Sequence, residues 1–171
     1  GMAFGTGTHP TTQLCLTMME ERVKPGQKVF DVGCGSGILL AAAIKLGAER
    51  AYGVDINPAS ISSSKENAQL NKIQNYIEVF QGSVPEIIKG YFEIREAPLV
   101  IANILASVIL RLFDDGLADL IEPGGYLILS GILNTQSEEI AEKAKKYGLM
   151  VSEQHTMDDW VALGLQKEFG D

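Results

Sequence analysis

Three glycines at alternate positions follow a short apolar run in the stretch "VFDVGCGSGILLAAAIKLGA" (29–48). Gly33, Gly35 and Gly37 can adopt positive φ angles and leave the backbone open to a ligand. A dinucleotide fingerprint, G-x-G-x-x-G, sets a helix N-terminus against a pyrophosphate. Here the third glycine comes one residue early, and Asp31 precedes the loop, where a carboxylate repels phosphate and favours an ammonium or a sulfonium. The stretch therefore favours a cationic ligand over a pyrophosphate.

A second carboxylate, Asp55, ends the next apolar run. Its two oxygens match the two hydroxyls of a ribose, which both donate. The same position serves nicotinamide cofactors, and Asp55 has the alternative role of capping the turn before Asn57-Pro58. Taken with Asp31, however, it points to S-adenosylmethionine, which combines a ribose and an adenine with an ammonium and a sulfonium.

The elements that must position these residues alternate along the chain. Five short apolar runs have the composition of central strands buried on both faces. They are Val29–Val32, Ala51–Ile56, Ile77–Phe80, Leu99–Ala102 and Tyr126–Leu129. Helical patterns separate them, so we predict an α/β fold with a doubly wound, mostly parallel sheet. The segment "LMVSEQHTMDDWVALGLQKEF" (149–169) predicts a closing antiparallel hairpin with a turn at Asp158-Asp159.

Helix ends are marked by local signals. Asn57-Pro58 has the pattern of an N-cap followed by proline at the first helical position, and a further helix is expected to begin at Pro10. Gly47 is expected to follow the end of a helix. Thr135 with Glu138 predicts a capping box for the last helix, which Gly148 is expected to end.

Ligands of such sheets bind at the carboxyl ends of the strands. Four features are expected to converge there. They are the 33–37 loop, Asp55, the pair Gly82-Ser83 and Asn103, which follow the first, second, third and fourth strands.

The segments "DVGCGSG" and "GVDI" resemble the first two cofactor motifs of the seven-strand S-adenosylmethionine-dependent methyltransferases. More specifically, "AFGTGTHPTT" (3–12), "ANILA" (102–106) and "LSGIL" (129–133) resemble the PrmA family, which methylates large-subunit ribosomal protein eleven. The resemblance covers essentially the whole chain. It implies methylation of lysine side chains and of an N-terminal amine, with S-adenosylhomocysteine as the product.

The resemblance also implies cofactor contacts at Thr12, Gly33, Asp55 and Asn103. With the residues inferred above, the predicted cofactor site has nine members: Thr12, Asp31, Gly33, Gly35, Gly37, Asp55, Ile56, Ser83 and Asn103. The family carries an N-terminal substrate-recognition domain before this region. Residues 1–171 are therefore expected to form the catalytic domain alone.

Asn103 is the predicted catalytic residue. An attacking amine needs neutral acceptors for its N–H groups, and a carboxamide oxygen accepts without adding charge. The alternative is that Asn103 caps the helix that begins near Ala106. His9 is a weaker candidate for a base and is expected instead to brace a helix start, while Phe4 is a candidate for stacking on adenine.

Composition narrows the class of protein further. The chain has 171 residues, 46% of them hydrophobic, and a net charge of −8, which disfavours direct binding to nucleic acid and suits a basic protein substrate. No run is long and apolar enough for a membrane span. Two separated cysteines and two histidines predict a reduced, cytoplasmic protein without a metal site.

Three other functions stay open at this point. One is a nicotinamide-dependent oxidoreductase, against which the early third glycine and the closing hairpin argue. Another is methylation of a different protein or of a small-molecule amine. The third is a non-catalytic domain that binds the cofactor without the chemistry.

Overall fold

The computed structural model describes residues 8–170. Six α-helices and one short 3-10 helix lie within this range. They are α1 (Pro10–Arg22), α2 (Ile38–Lys45), α3 (Pro58–Leu70), α4 (Val84–Ile88), α5 (Ala106–Asp115), the 3-10 helix (Leu117–Leu120) and α6 (Ser137–Lys145). Seven strands accompany them. They are β1 (Lys28–Val32), β2 (Arg50–Asp55), β3 (Ile77–Gln81), β4 (Ala97–Asn103), β5 (Ile121–Leu133), β6 (Leu149–Met157) and β7 (Trp160–Lys167).

The strands form one sheet in the order β3-β2-β1-β4-β5-β7-β6. The first five strands are parallel, and β7 pairs antiparallel with both β5 and β6. The order in which the strands are added reverses between β1 and β4: β2 and β3 lie on one side of β1, and β4 and β5 lie on the other. This is the switch point where ligands of doubly wound sheets bind. The predicted fold class, including the closing hairpin, is confirmed.

Helices cover both faces of this sheet, because successive residues of a strand point to opposite sides. Phe30 of β1 belongs to a core packed under α4, α5 and α6. Val29 belongs to the opposite core, under α1 and α2. Asp31 shares a face with Val29, so its carboxyl group enters the α1–α2 side of an otherwise apolar core.

Two helix starts follow the local signals predicted for them, and a third does not. Asn57 caps α3 by accepting from the Ala59 amide at 2.9 Å, and His9 caps α1 through the Thr11 amide. Gly47, at φ +113°, follows the end of α2 as predicted. The capping box of Thr135 with Glu138 is wrong.

The N-cap of α6 is Gln136, one residue later than predicted, and its side chain makes no cap bond. Its Oε1 accepts instead from the Leu133 amide at 2.9 Å, closing the turn that leaves β5. This neighbouring turn outweighs the preference of a threonine for the cap. Gly148, at φ +82°, lies three residues beyond the end of α6 at Lys145.

Candidate functional site

A cleft of about 550 Å³ opens at the carboxyl ends of β1, β2, β3 and β4. Six of the nine predicted cofactor residues line it: Gly33, Gly35, Asp55, Ile56, Ser83 and Asn103. Gly82 also lines it, so the four features expected to converge do meet in one place. The cleft follows from the parallel sheet, which brings the ends of these strands to one edge.

The amide groups of the glycine loop are used inside the protein. Gly33 and Cys34 both donate to the Val54 carbonyl, Gly35 donates to Asp55 Oδ2 at 2.9 Å, and Gly37 donates to the Cys34 carbonyl. A pyrophosphate needs such amides as donors. Their engagement here supports a loop that shapes the cleft rather than one that binds phosphate.

Helix α3 holds this loop from behind. Ser64 Oγ donates to the Gly35 carbonyl at 2.8 Å, and Asn67 Nδ2 donates to the Ser36 carbonyl at 3.1 Å. Gly37, at φ +85°, packs so closely on Ser64 that an added Cβ would lie 3.1 Å from its Cα. Sequence reasoning missed Ser64 and Asn67, because nothing local marks two polar residues of a helix as partners of a distant loop.

Asp55 is held by two backbone groups. Its Oδ2 accepts from the Gly35 amide and its Oδ1 accepts from the Asn57 amide, each at 2.9 Å. Asp55 therefore does cap the turn before Asn57-Pro58, as the alternative interpretation predicted. This role does not compete with ligand binding, because each carboxylate oxygen has a second lone pair for a hydroxyl donor.

Asp31 is 2% exposed, and its Oδ1 has no hydrogen-bond partner among residues 8–170. Burial, with a smaller contribution from the negative charge of Asp55, raises the pKa of Asp31 from 3.8 to about 7. Desolvation disfavours a carboxylate unless a cation compensates it. An uncompensated acidic group thus lies buried two residues before the glycine loop, although Asp31 itself does not line the cleft.

We expect Asp31→Asn to remove a pH dependence of stability. Because the folded pKa is raised, the proton on Asp31 stabilises the fold fully below about pH 4, and this contribution is lost as the pH rises through 7. One pKa unit corresponds to about 1.4 kcal/mol. Between pH 4 and pH 8 the free energy of unfolding of the parent should therefore fall by up to about 4 kcal/mol more than that of the variant. Urea unfolding at both pH values, without ligand, measures this difference.

The matched control for this change is Asp159→Asn in the exposed turn between β6 and β7. That variant should follow the parental pH dependence, since it removes the same charge without removing a buried carboxyl group. Equal pH slopes for the parent and Asp31→Asn would contradict the assignment.

Asn103, the last residue of β4, is 8% exposed and lines the cleft. Its Nδ2 donates to Thr12 Oγ1 at 3.5 Å, and its Oδ1 has no hydrogen-bond partner within the described range. The N-cap of α5 is Leu105, so the interpretation of Asn103 as a helix cap is wrong. A buried acceptor without a donor is costly, and this one lies where a ligand can supply the donor.

Of the weaker candidates His9 and Phe4, only His9 lies within the described residues, and Cys34 of the glycine loop is a further residue whose reactivity can be judged. His9 caps α1, its Nδ1 lies 2.8 Å from Thr11 Oγ1, and its ring contacts Trp160 edge-on. Cys34 is buried, and burial raises its thiol pKa to about 12, which keeps it unreactive. Phe4 lies outside the described residues, and no cluster of metal-ligating side chains occurs within 8–170.

Sequence reasoning missed the apolar wall of the cleft. The start of α5 contributes Leu105 and Val108 to the lining, which also includes Val32, Ser60, Ile104, Arg111 and Leu112. Leu105 is 52% exposed and Ile56 is 71% exposed, an unusual exposure for aliphatic side chains that flank a cleft. A helix that begins directly after a strand end was the available signal, because its first turn must face the ligand side of the sheet.

The strand order with an antiparallel β7, together with a cleft at the strand ends, defines the Rossmann-like methyltransferase class. Residues 1–168 match the family model of the ribosomal protein L11 methyltransferases, PrmA. The chain belongs to this family.

Individual relatives agree with this result. The chain is 42% identical over 168 residues to the ribosomal protein L11 methyltransferase of Anoxybacillus flavithermus, covering 98% of the chain and 52% of that protein. A crystal structure of the ribosomal protein L11 methylase from Lactobacillus delbrueckii subsp. bulgaricus superposes with a TM-score of 0.84 at 30% identity, over 96% of this chain and 82% of that one. The chain thus spans about half the length of the curated relatives it matches.

A more distant structure shares the fold. The RNA methyltransferase from Salinibacter ruber, in complex with S-adenosyl-L-homocysteine, gives a TM-score of 0.70 at 18% identity, over 95% of each chain. Among the helices within residues 8–170, none has the length and apolar character needed to cross a membrane.

Proposed function

We propose that this chain transfers methyl groups from S-adenosylmethionine to amino groups of ribosomal protein L11, namely lysine side chains and the N-terminal amine. Family membership supports the reaction class. The observation that carries the proposal is the buried, unpartnered Oδ1 of Asn103 beside the cleft. A neutral acceptor in that position suits an incoming amine and has no evident purpose in a scaffold.

The residues present fit S-adenosylmethionine. Asp55 offers free lone pairs to the ribose hydroxyls, and the uncompensated Asp31 favours a ligand that brings positive charge. Ile56 and Leu105 present exposed aliphatic surface for an adenine. A Cβ on Gly35, at φ +54°, would meet nothing within 4 Å, so the loop faces open space there.

When bound, S-adenosylmethionine would supply an electrophilic methyl group on a sulfonium; formation of the N–C bond would break the S–C bond and give S-adenosylhomocysteine, and the proton of the incoming ammonium would pass to water. The protein must then align the amine and exclude water. A lysine has an ordinary pKa of about 10.4, so it arrives protonated. Desolvation in the cleft and the neighbouring sulfonium charge both favour the neutral amine.

Asn103 then acts on the neutral amine. Its Oδ1 accepts one N–H and thereby turns the nitrogen lone pair toward the methyl group. The Thr12 hydroxyl, 3.5 Å from Asn103 Nδ2, accepts a long and therefore weak hydrogen bond from the other end of the amide group. The substrate is a ribosomal protein, so we place the reaction in the cytoplasm.

Mass spectrometry of ribosomal proteins tests the proposal directly. The chain is incubated with isolated large-subunit proteins and a cofactor carrying a labelled methyl group. We expect label on L11 at lysines and at the N-terminus, and label that accumulates thirty- to several-hundred-fold more slowly with Asn103→Ala under the same conditions. High protein concentration is needed, because the chain spans about half the length of its curated relatives.

Two results would count against the proposal. Label on another protein or on a small amine only would retain the chemistry and overturn the substrate. Binding of the cofactor without any transfer would favour the non-catalytic alternative.

A further inference from the structure

Strand β5 departs from regular pairing beside the cleft. Its register with β7 shifts between Leu129 and Ile132, so Ser130 and Gly131 form a bulge. Gly131 is buried there with φ +88°, a conformation that residues with side chains rarely adopt. Such bulges redirect the backbone next to functional sites.

The bulge receives the main chain of Ile104, the residue that follows Asn103. The Ile104 amide donates to the Ser130 carbonyl at 3.1 Å. A Cβ added to Gly131 would overlap the Ile104 carbonyl oxygen and lie 2.8 Å from its carbonyl carbon. The side chain of Ile104 makes a second close approach, since its Cγ2 would lie 2.6 Å from a Cβ on Gly33. Ile104 therefore packs against two glycines, one through its main chain and one through its side chain.

The packing of Ile104 against Gly131 affects the position of the neighbouring residue, Asn103. The carboxamide of Asn103 has only the 3.5 Å contact from Nδ2 to Thr12 Oγ1 among the described residues, so its own hydrogen bonds restrain it weakly. The position of Oδ1 then depends on the main chain of residues 103–104, from which the side chain extends, and on the groups that bury it. Ser130 also donates from Oγ to the Thr11 carbonyl at 2.9 Å, which ties the first turn of α1 to the same bulge.

We propose that Gly131 is a positioning residue for methyl transfer: its missing side chain leaves the space in which the Ile104 main chain sits, and this places Asn103 Oδ1 against the amine. The inference rests on the proposed function for its chemistry. Its structural part stands on the contacts of Gly131, Ser130 and Ile104 alone.

Gly131→Ala tests it, with Gly148→Ala as the matched control. Both glycines have φ above +80°, but a Cβ on Gly148 meets nothing within 4 Å, so the control carries the backbone strain without the collision. We expect Gly131→Ala to lower kcat about a hundred-fold, as displacements near 1 Å do. Its affinity for S-adenosylhomocysteine should stay within about threefold, and the side-chain amide resonances of Asn103 should shift.

A second replacement covers the case in which Gly131→Ala does not fold. Replacing Ile104 with the corresponding α-hydroxy acid turns its backbone amide into an ester. The N–H that donates to the Ser130 carbonyl is thereby removed, and no atoms are added. We expect this protein to fold, to shift the same Asn103 resonances and to lose about tenfold in kcat, as expected for one lost hydrogen bond.

The readouts separate the two proposals. A parent without transfer activity overturns the proposed function, and the Asn103 resonances still decide the structural part. If Gly131→Ala keeps the kcat of Gly148→Ala, or leaves the Asn103 resonances in place, the positioning role is wrong. A loss of kcat that merely follows a loss of cofactor affinity would also overturn it.

Discussion

Asn103→Ala is expected to slow methyl transfer by thirty- to several-hundred-fold at saturating cofactor, or about 2–4 kcal/mol of transition-state stabilisation. The reason is that Oδ1, buried and without a partner in the described structure, is the acceptor we assign to the amine. Its interaction matters most while the methyl group moves, so cofactor affinity should change little. Single-turnover rates with an L11 peptide at high concentration, and calorimetry with S-adenosylhomocysteine, measure the two quantities.

A matched control is Asn134→Ala, in the exposed turn after β5. It removes the same side chain on the same edge of the sheet and should transfer at the parental rate. Parental transfer by Asn103→Ala would show that the buried amide does not align the substrate.

Asn103→Asp sharpens this test, because it keeps the shape of the side chain and adds a charge. A carboxylate favours the ammonium form of the incoming amine and pairs with the sulfonium. We therefore expect cofactor affinity to hold or improve while transfer slows. Equal losses in binding and transfer would point to general damage of the site instead.

Asp55→Ala is expected to weaken cofactor binding by about 1.5–3 kcal/mol, the range for hydrogen bonds to a charged group. This corresponds to a roughly ten- to 150-fold rise in Kd. The carboxylate faces the cleft and keeps free lone pairs, although both oxygens already accept from backbone amides. Calorimetric titration with S-adenosylhomocysteine gives the affinity directly.

The same two backbone bonds make a control necessary, because Asp55→Ala also releases the Gly35 amide of the loop. Asp55→Asn keeps one acceptor oxygen and the size of the side chain, so its loss should be intermediate. Thermal unfolding of both variants shows whether the loop has moved. An unchanged affinity in Asp55→Ala would remove Asp55 from the site.

Much of the fold was predictable from local pattern. Buried parallel strands must be continuous apolar runs, and those runs, with the terminal hairpin, predict the sheet. Asn57-Pro58 marked the start of α3, because a cap and a proline act through their own backbone. The convergence of Gly33, Asp55 and Asn103 followed as well, since parallel strands end at one edge.

Local pattern was insufficient where two local signals compete and where a partner lies far away in the chain. Thr135 with Glu138 has the sequence of a capping box, yet α6 begins after Gln136, because the side chain of Gln136 closes the turn from β5. Likewise, nothing near Ser64 or Asn67 indicates that they hold the glycine loop.

By itself, then, the sequence determined the strands, the edge at which the site forms and the residue types that it contains, because these depend on periodicity and on backbone geometry near each residue. Only the tertiary structure decided the protonation, the hydrogen-bond partners and the packing of those residues. Burial raises the pKa of Asp31, the packing at β4 leaves Asn103 Oδ1 without a donor, and the bulge at Gly131 seats Ile104. Desolvation, unmet hydrogen bonds and steric fit are properties of groups brought together from distant segments, so no local pattern encodes them.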